Sequence, residues 1–182
     1  SIEELVKDAK RRSKENADRN REKLRKVEDD SRRNIEENER RLEENEKRSR
    51  EVIKELADRT DEERVRELLR RLLELSKRIA DESRKILEDL LRRVKEVIRE
   101  SERIIREVEE VVKEVLTRLS RVSEDVVEKL IRELEEINRE VNKRNDDLIR
   151  ELREINKKVN EENKRLMKES DDILKEVRER VR

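Results

Sequence analysis

The sequence predicts an all-α protein: a long, nearly straight, antiparallel up-down-up bundle of three helices, with residues 1–182 forming a single bundle. Three observations predict it. The chain contains no Gly, no Pro and no aromatic residue, which removes the cheap means of making left-handed turns, hairpins and rigid loops. Charged residues make up 57% of it, and the residues used in bulk (Glu, Arg, Lys, Leu, Val, Ile) include the strong helix formers. The apolar residues are not scattered as they would be in a disordered chain. Through "LLELSKRIADESRKILEDLLRRVKEVIRESERIIREVEEVVKEVL" (72–116) they return every three or four positions, covering an arc of about 140° when plotted at 100° per residue.

The first helix is expected over residues 2–57, opened by Ser1 with Glu4 as a capping box. Its core arc is narrower, about 100°, and is built largely of Ser, Asn and Ala. At "ADRTDEERV" the periodicity resets, and Thr60 followed by Glu63 reads as a second capping box that starts a helix over 61–119. At "SRVSEDVVEKL" it resets again. Ser123 is placed to cap a third helix over 124–181, with Val122 and Val127 at the positions of a hydrophobic staple. Loops this short make sequential helices antiparallel neighbours, and at 1.5 Å per residue each helix would run about 85 Å, so the expected object is a rod.

An internal repeat fixes how the helices meet. "LIRELEEINREVNKRNDD" (130–147) is followed directly by "LIRELREINKKVNEENKR" (148–165), and the same spacing relates Ser13, Ser31 and Ser49. That spacing of eighteen makes about five turns at 3.6 residues each, whereas a strict seven-residue repeat would impose a left-handed supercoil. Followed through each helix it gives three columns: Ile2, Asn20, Asn38, Leu56; Val65, Ser83, Ser101, Leu119; and Val127, Asn145, Asn163, Val181. With the middle helix reversed, two polar layers stand between apolar ends. One joins Asn20, Ser101 and Asn145; the other joins Asn38, Ser83 and Asn163. Asn16, Asn34, Asn138, Asn142, Asn156 and Asn160 lie within a turn of these layers and can extend them. A buried amide left unpaired costs about 1–3 kcal/mol, so such layers penalise every register in which their members fail to meet.

This combination of repeat, layers and composition resembles the computationally designed parametric helical bundles with modular buried hydrogen-bond networks. The resemblance spans the whole chain. It implies a scaffold, or a component of an assembly or switch, with no natural substrate. The chain departs from that class in having no Gly or Pro in its loops.

The same reading bears on chemistry and partners. There is no His or Cys, hence no thiolate nucleophile, zinc-thiolate site or Glu-x-x-His ligand pair, and no imidazole switch near neutral pH. Asp and Glu are abundant but fall on the polar faces, where they read as solvated surface; no catalytic, metal or cofactor site is expected. Met167 reads as a gap-filler in the apolar stripe. Basic and acidic residues balance at 52 each, and pairs such as Arg70/Arg71 and Arg92/Arg93 are flanked by acids. That leaves no field to steer nucleic acid or a membrane surface. Neither a membrane-length apolar run nor a signal-peptide pattern occurs, so a soluble protein is expected, cytoplasmic on recombinant expression. Two functional classes remain open. One is a self-contained structural scaffold, expected to be a monomer with no required partner. The other is an interaction module that self-associates or takes an additional helix, for which the wide apolar arcs of the second and third helices are the argument.

Overall fold

The computed structural model describes residues 1–59, 62–119 and 121–181. It is a bundle of three helices: α1 (Ile2–Arg59), α2 (Glu63–Leu119) and α3 (Glu124–Val181). No strand occurs among the described residues. α1 opens on the Ser1 cap. The Glu4 N–H donates to Ser1 Oγ at 3.3 Å, the Leu5 N–H to the Ser1 carbonyl at 3.2 Å, and the Glu4 carboxylate reaches back to the terminal ammonium at 3.9 Å. The Ser1 hydroxyl thus satisfies one of the donors that a helix start otherwise leaves orphaned, while the Glu4 carboxylate is within ion-pair reach only.

The second helix begins away from its expected cap, whereas the third begins at Glu124, directly after Ser123, as expected. Thr60 lies outside the described residues. α2 starts at Glu63 rather than at residue 61, and α1 runs on to Arg59 rather than ending at 57. The backbone carbonyl of Glu62 accepts the first bonds of α2, from Val65 at 3.1 Å and Arg66 at 3.2 Å, which leaves the Glu63 carboxylate in the first turn, where the helix dipole favours an acid. At α3 the turn-in residue is Ser123, whose carbonyl accepts from Val126 and Val127 at 3.1 and 3.0 Å. Its hydroxyl makes no hydrogen bond among the described residues, so this cap works through the backbone. Val122 is half-buried and Val127 fully buried.

The chain divides into two compact units, each containing a segment of every helix. The first is Ser1–Asp30 with Arg93–Arg153; the second is Ser31–Arg92 with Glu154–Arg182. Contacts in the first unit give the helix directions. The ion pairs Arg12–Glu135 and Lys23–Asp146 both join α1 to α3 at a numbering difference of 123, so these helices run parallel. Between α2 and α3, Arg93 pairs with Glu151 while Ser101 pairs with Asn145; one number rises as the other falls, so α2 runs against both. In the second unit α1 and α3 meet at nearly constant offsets of 122 and 125, so they run parallel there too.

Each unit has an apolar interior. In the first, Ile105, Leu119, Val127, Leu134 and Leu152 are at most 2% exposed, while Ile2 is only half-buried. In the second, Val52, Leu56, Val65, Leu69, Leu72, Leu174 and Val177 form a cluster, with Ile53 and Ile173 packed on it. Met167 is half-buried in the stripe of α3. On α1 the larger buried apolar side chains are Leu24, Val27, Ile35, Leu42, Val52 and Leu56, while Ala9, Ala17, Ser13 and Ser31 fill positions that face inward with little bulk.

Candidate functional site

The polar interior is the one constellation that sequence and structure both single out. Residues three and four apart on a helix share a face, so Asn34 with Asn38, and Asn156, Asn160 and Asn163, project toward a common seam. In the second unit these side chains join into one chain. Ser83 Oγ donates to Asn163 Oδ1. Asn163 Nδ2 donates to Asn38 Oδ1 at 2.7 Å, and Asn38 Nδ2 donates to Asn160 Oδ1 at 2.8 Å. The same Nδ2 lies 2.8 Å from the Asn34 carbonyl and 3.3 Å from Asn34 Oδ1. Asn34 Nδ2 then donates to Asn156 Oδ1 at 3.0 Å, and Asn156 Nδ2 to Ser31 Oγ at 2.9 Å. All three helices contribute. Ser83, Asn163, Asn38 and Ser31 are at most 2% exposed, Asn34 and Asn156 are half-buried, and Asn160 closes the chain at the surface.

The first unit carries the same residues eighteen positions away. Ser101 Oγ donates to Asn145 Oδ1. Asn145 Nδ2 donates to Asn20 Oδ1 at 3.2 Å and lies 3.4 Å from the Asn20 carbonyl, while Asn20 Nδ2 donates to Asn142 Oδ1 at 2.7 Å. Asn138 Nδ2 donates to Ser13 Oγ at 3.2 Å. Here the resemblance stops. Asn16, only 6% exposed, makes no side-chain hydrogen bond among the described residues, although it stands where Asn34 stands in the second unit. Without it, the Asn138–Ser13 bond is detached from the Asn20 layer.

Sequence reasoning missed several members. Ser13 and Ser31 are acceptors in these networks, and a further pair lies beyond them: Ser170 Oγ donates to Asn45 Oδ1 at 2.8 Å, both residues being 3% exposed. Asn45 breaks its own column, Ala9, Val27, Asn45, and Ser170 breaks the column Leu134, Leu152, Ser170, so a search for repeating polar positions passes over both. Asn45 Nδ2 and Ser49 Oγ are buried without a partner. For Ser49 the register supplies the reason. At the α1 to α3 offset of 125, Ser13 and Ser31 stand opposite Asn138 and Asn156, whereas Ser49 stands opposite Leu174.

Charge is arranged outside this interior. Arg21–Glu109 and Arg84–Glu46 link α1 to α2, Arg93–Glu151 links α2 to α3, and Arg48–Asp171 links α1 to α3 at 3.5 Å. Among the described residues no three acidic side chains converge to hold a metal ion, and no helix is long and apolar enough to cross a membrane. Compared with known proteins, the chain matches no family model, no curated protein and no solved structure.

Proposed function

We propose that this chain is a structural scaffold, of the designed-bundle kind its sequence resembles, in which the buried polar layers specify helix register and pairing. The observation that carries this reading is the continuous chain from Ser83 through Asn163, Asn38 and Asn34 to Ser31, which satisfies buried groups of all three helices only in one alignment. A slip of α3 along α1 by a turn would leave Asn38 and Asn163 buried and apart, at about 1–3 kcal/mol for each stranded group. A slip by a whole repeat would bring Asn20 to the position of Asn163, but it would set Asn38 against the column position of Val181 and Ile2 against that of Asn145. The apolar ends therefore penalise the one slip that the repeat would otherwise permit. The layers can close within one chain, so the scaffold works as a monomer and needs no substrate or cofactor.

The test is a contrast between one substitution and three. Asn145→Ala strands Asn20 and Ser101 and should cost about 1–3 kcal/mol in chemical denaturation. Replacing Asn20, Ser101 and Asn145 together by Leu leaves nothing unsatisfied, so stability should hold or rise, while light scattering should change from the mass of one chain to a mixture. A neutral Asn145→Ala, or a triple variant that remains a single species with one set of NMR signals, would overturn the proposal.

A further inference from the structure

The break in the first unit's network coincides with a cleft. Its volume is about 550 Å³, inside the roughly 300–1,000 Å³ range of small-molecule sites, and it lies within one unit, among the start of α1, the end of α2 and α3 near Asn138. The sequence shows why it exists. In the column of Ile35 and Ile53 the first repeat has Ala17; where Leu24 and Leu42 stand it has Val6; where Leu72 and Leu90 stand α2 has Val108. Each replacement removes carbons that the neighbouring repeats use for packing, and all three truncated residues line the cleft.

Its lining has three chemistries. One wall is branched aliphatic: Ile105, Val108, Val112, Leu116 and Val141. Asn16 presents an amide that is 6% exposed and unpaired among the described residues, so both its N–H donors and its carbonyl are available to an occupant. Lys10, Lys14 and Lys113 also line the cleft, and none of them makes an ion pair among the described residues. The acid that lines it, Glu109, is held by Arg21.

We infer that this cleft is a binding site for a small amphipathic carboxylate, with its apolar body against the α2 wall and its carboxylate accepting hydrogen bonds from Asn16 and the lysines. A cation would meet three ammonium groups. A neutral apolar molecule would cover the Asn16 amide, which now faces the open cleft, and leave it unpaired. A carboxylate accepts from both kinds of donor and needs none in return.

Octanoate is the probe, with 1-octanol and octylammonium as chain-matched controls, titrated into isotope-labelled full-length protein and followed by NMR. Octanoate should saturably shift the amides of residues 13–20 and 108–117, leave those of 31–38 in place, and bind at least about fivefold more tightly than octanol. Ala17→Ile restores the side chain of the neighbouring repeats and should weaken octanoate binding at least about tenfold while leaving helicity intact. A Lys10→Gln, Lys14→Gln, Lys113→Gln variant alters only exposed positions; it should bring octanoate down to the affinity of octanol. Equal binding by wild type and Ala17→Ile, equal shifts at 31–38, or octylammonium binding as tightly as octanoate would each overturn the site. So would shifts at 108–117 that follow protein concentration without any ligand, since a second copy would then be filling the cleft.

Discussion

The two units have nearly the same polar residues in their interiors and reach different degrees of completion. In the second, Asn34 links the Asn38 layer to the Asn156–Ser31 bond, and the network is continuous. In the first, the equivalent Asn16 links nothing. The adjacent difference that bears on packing is the next residue along α1: Ile35, 6% exposed, follows Asn34, whereas Ala17, 7% exposed, follows Asn16. The difference teaches that polar identity alone does not make a buried network. An amide is held at its partner by the apolar side chains packed around it, because rotamer freedom must be removed before a hydrogen bond contributes. Where packing is truncated, the amide faces a cleft instead.

The largest expected effect comes from deleting equivalent asparagines in the two units. Asn38→Ala removes a side chain that serves Asn163, Asn160 and Asn34, in an interior where Ile35 keeps the bulk that Ala17 gives up beside Asn20. Its cost should fall near the top of the range of about 1–3 kcal/mol for stranded buried groups. Asn20→Ala should fall near the bottom of that range, because water entering the cleft beside it can solvate what is left. Chemical denaturation of the two variants decides the matter, and equal costs would show that the cleft does not relieve the first unit.

How much of this was legible in the sequence depends on what repeats. The helix class, the antiparallel order and the placing of Asn20, Ser101, Asn145, Asn38, Ser83 and Asn163 follow from periodicity, which survives any uncertainty about rotamers. Asn45 and Ser170 were hidden because each stands in a column that is otherwise apolar. The isolation of Asn16 was hidden for another reason: it depends on side-chain volume at Ala17 and Val108, which a polar-or-apolar reading treats as equivalent to Ile and Leu. The start of α2, at Glu63, was less legible than those of α1 and α3. A Ser or Thr can cap through its hydroxyl, but at α2 and α3 the described bonds run through the Glu62 and Ser123 carbonyls.

A smaller effect, of opposite sign at two positions, would sharpen the comparison within a single column. Ser31 and Ser49 are both at most 2% exposed. Ser31 Oγ accepts from Asn156, while Ser49 Oγ has no partner. Ser31→Ala removes the hydroxyl that accepts from Asn156 Nδ2 and should destabilise by about 1 kcal/mol. Ser49→Ala removes an unsatisfied hydroxyl beside the apolar cluster of Val52 and Leu56 and should be neutral or stabilising by up to about 1 kcal/mol. Matching losses in melting experiments on the two variants would mean that Ser49 has a partner in solution.

The smallest expected effect lies on the outside, where charge rather than amide joins the helices. Arg93 pairs with Glu151 across to α3 and with Glu96 on its own helix at 3.1 Å. Its guanidinium is held above its ordinary pKa, first by the hydrogen bond to Glu151 and then by the one to Glu96. A base whose folded pKa is raised contributes stability that is fully present below its unfolded pKa and is lost only as pH climbs through the folded value, here in strong alkali. Neutral and mildly alkaline pH therefore leave the Arg93 contribution unchanged, and salt becomes the useful variable. The side chains of Arg93 and Glu151 are 38% and 44% exposed, so solvent screens the pair and the raised pKa overstates its value. Glu151→Gln should cost about 0.2–1 kcal/mol at low ionic strength, shrinking toward nothing near 1 M salt, where screening acts over about 3 Å. The Asn38→Ala loss should persist at the same salt, since buried amides are not screened. If instead Glu151→Gln cost as much as Asn38→Ala and kept that cost in salt, the helices would be held in register by their surface charges, and the interior layers would be secondary.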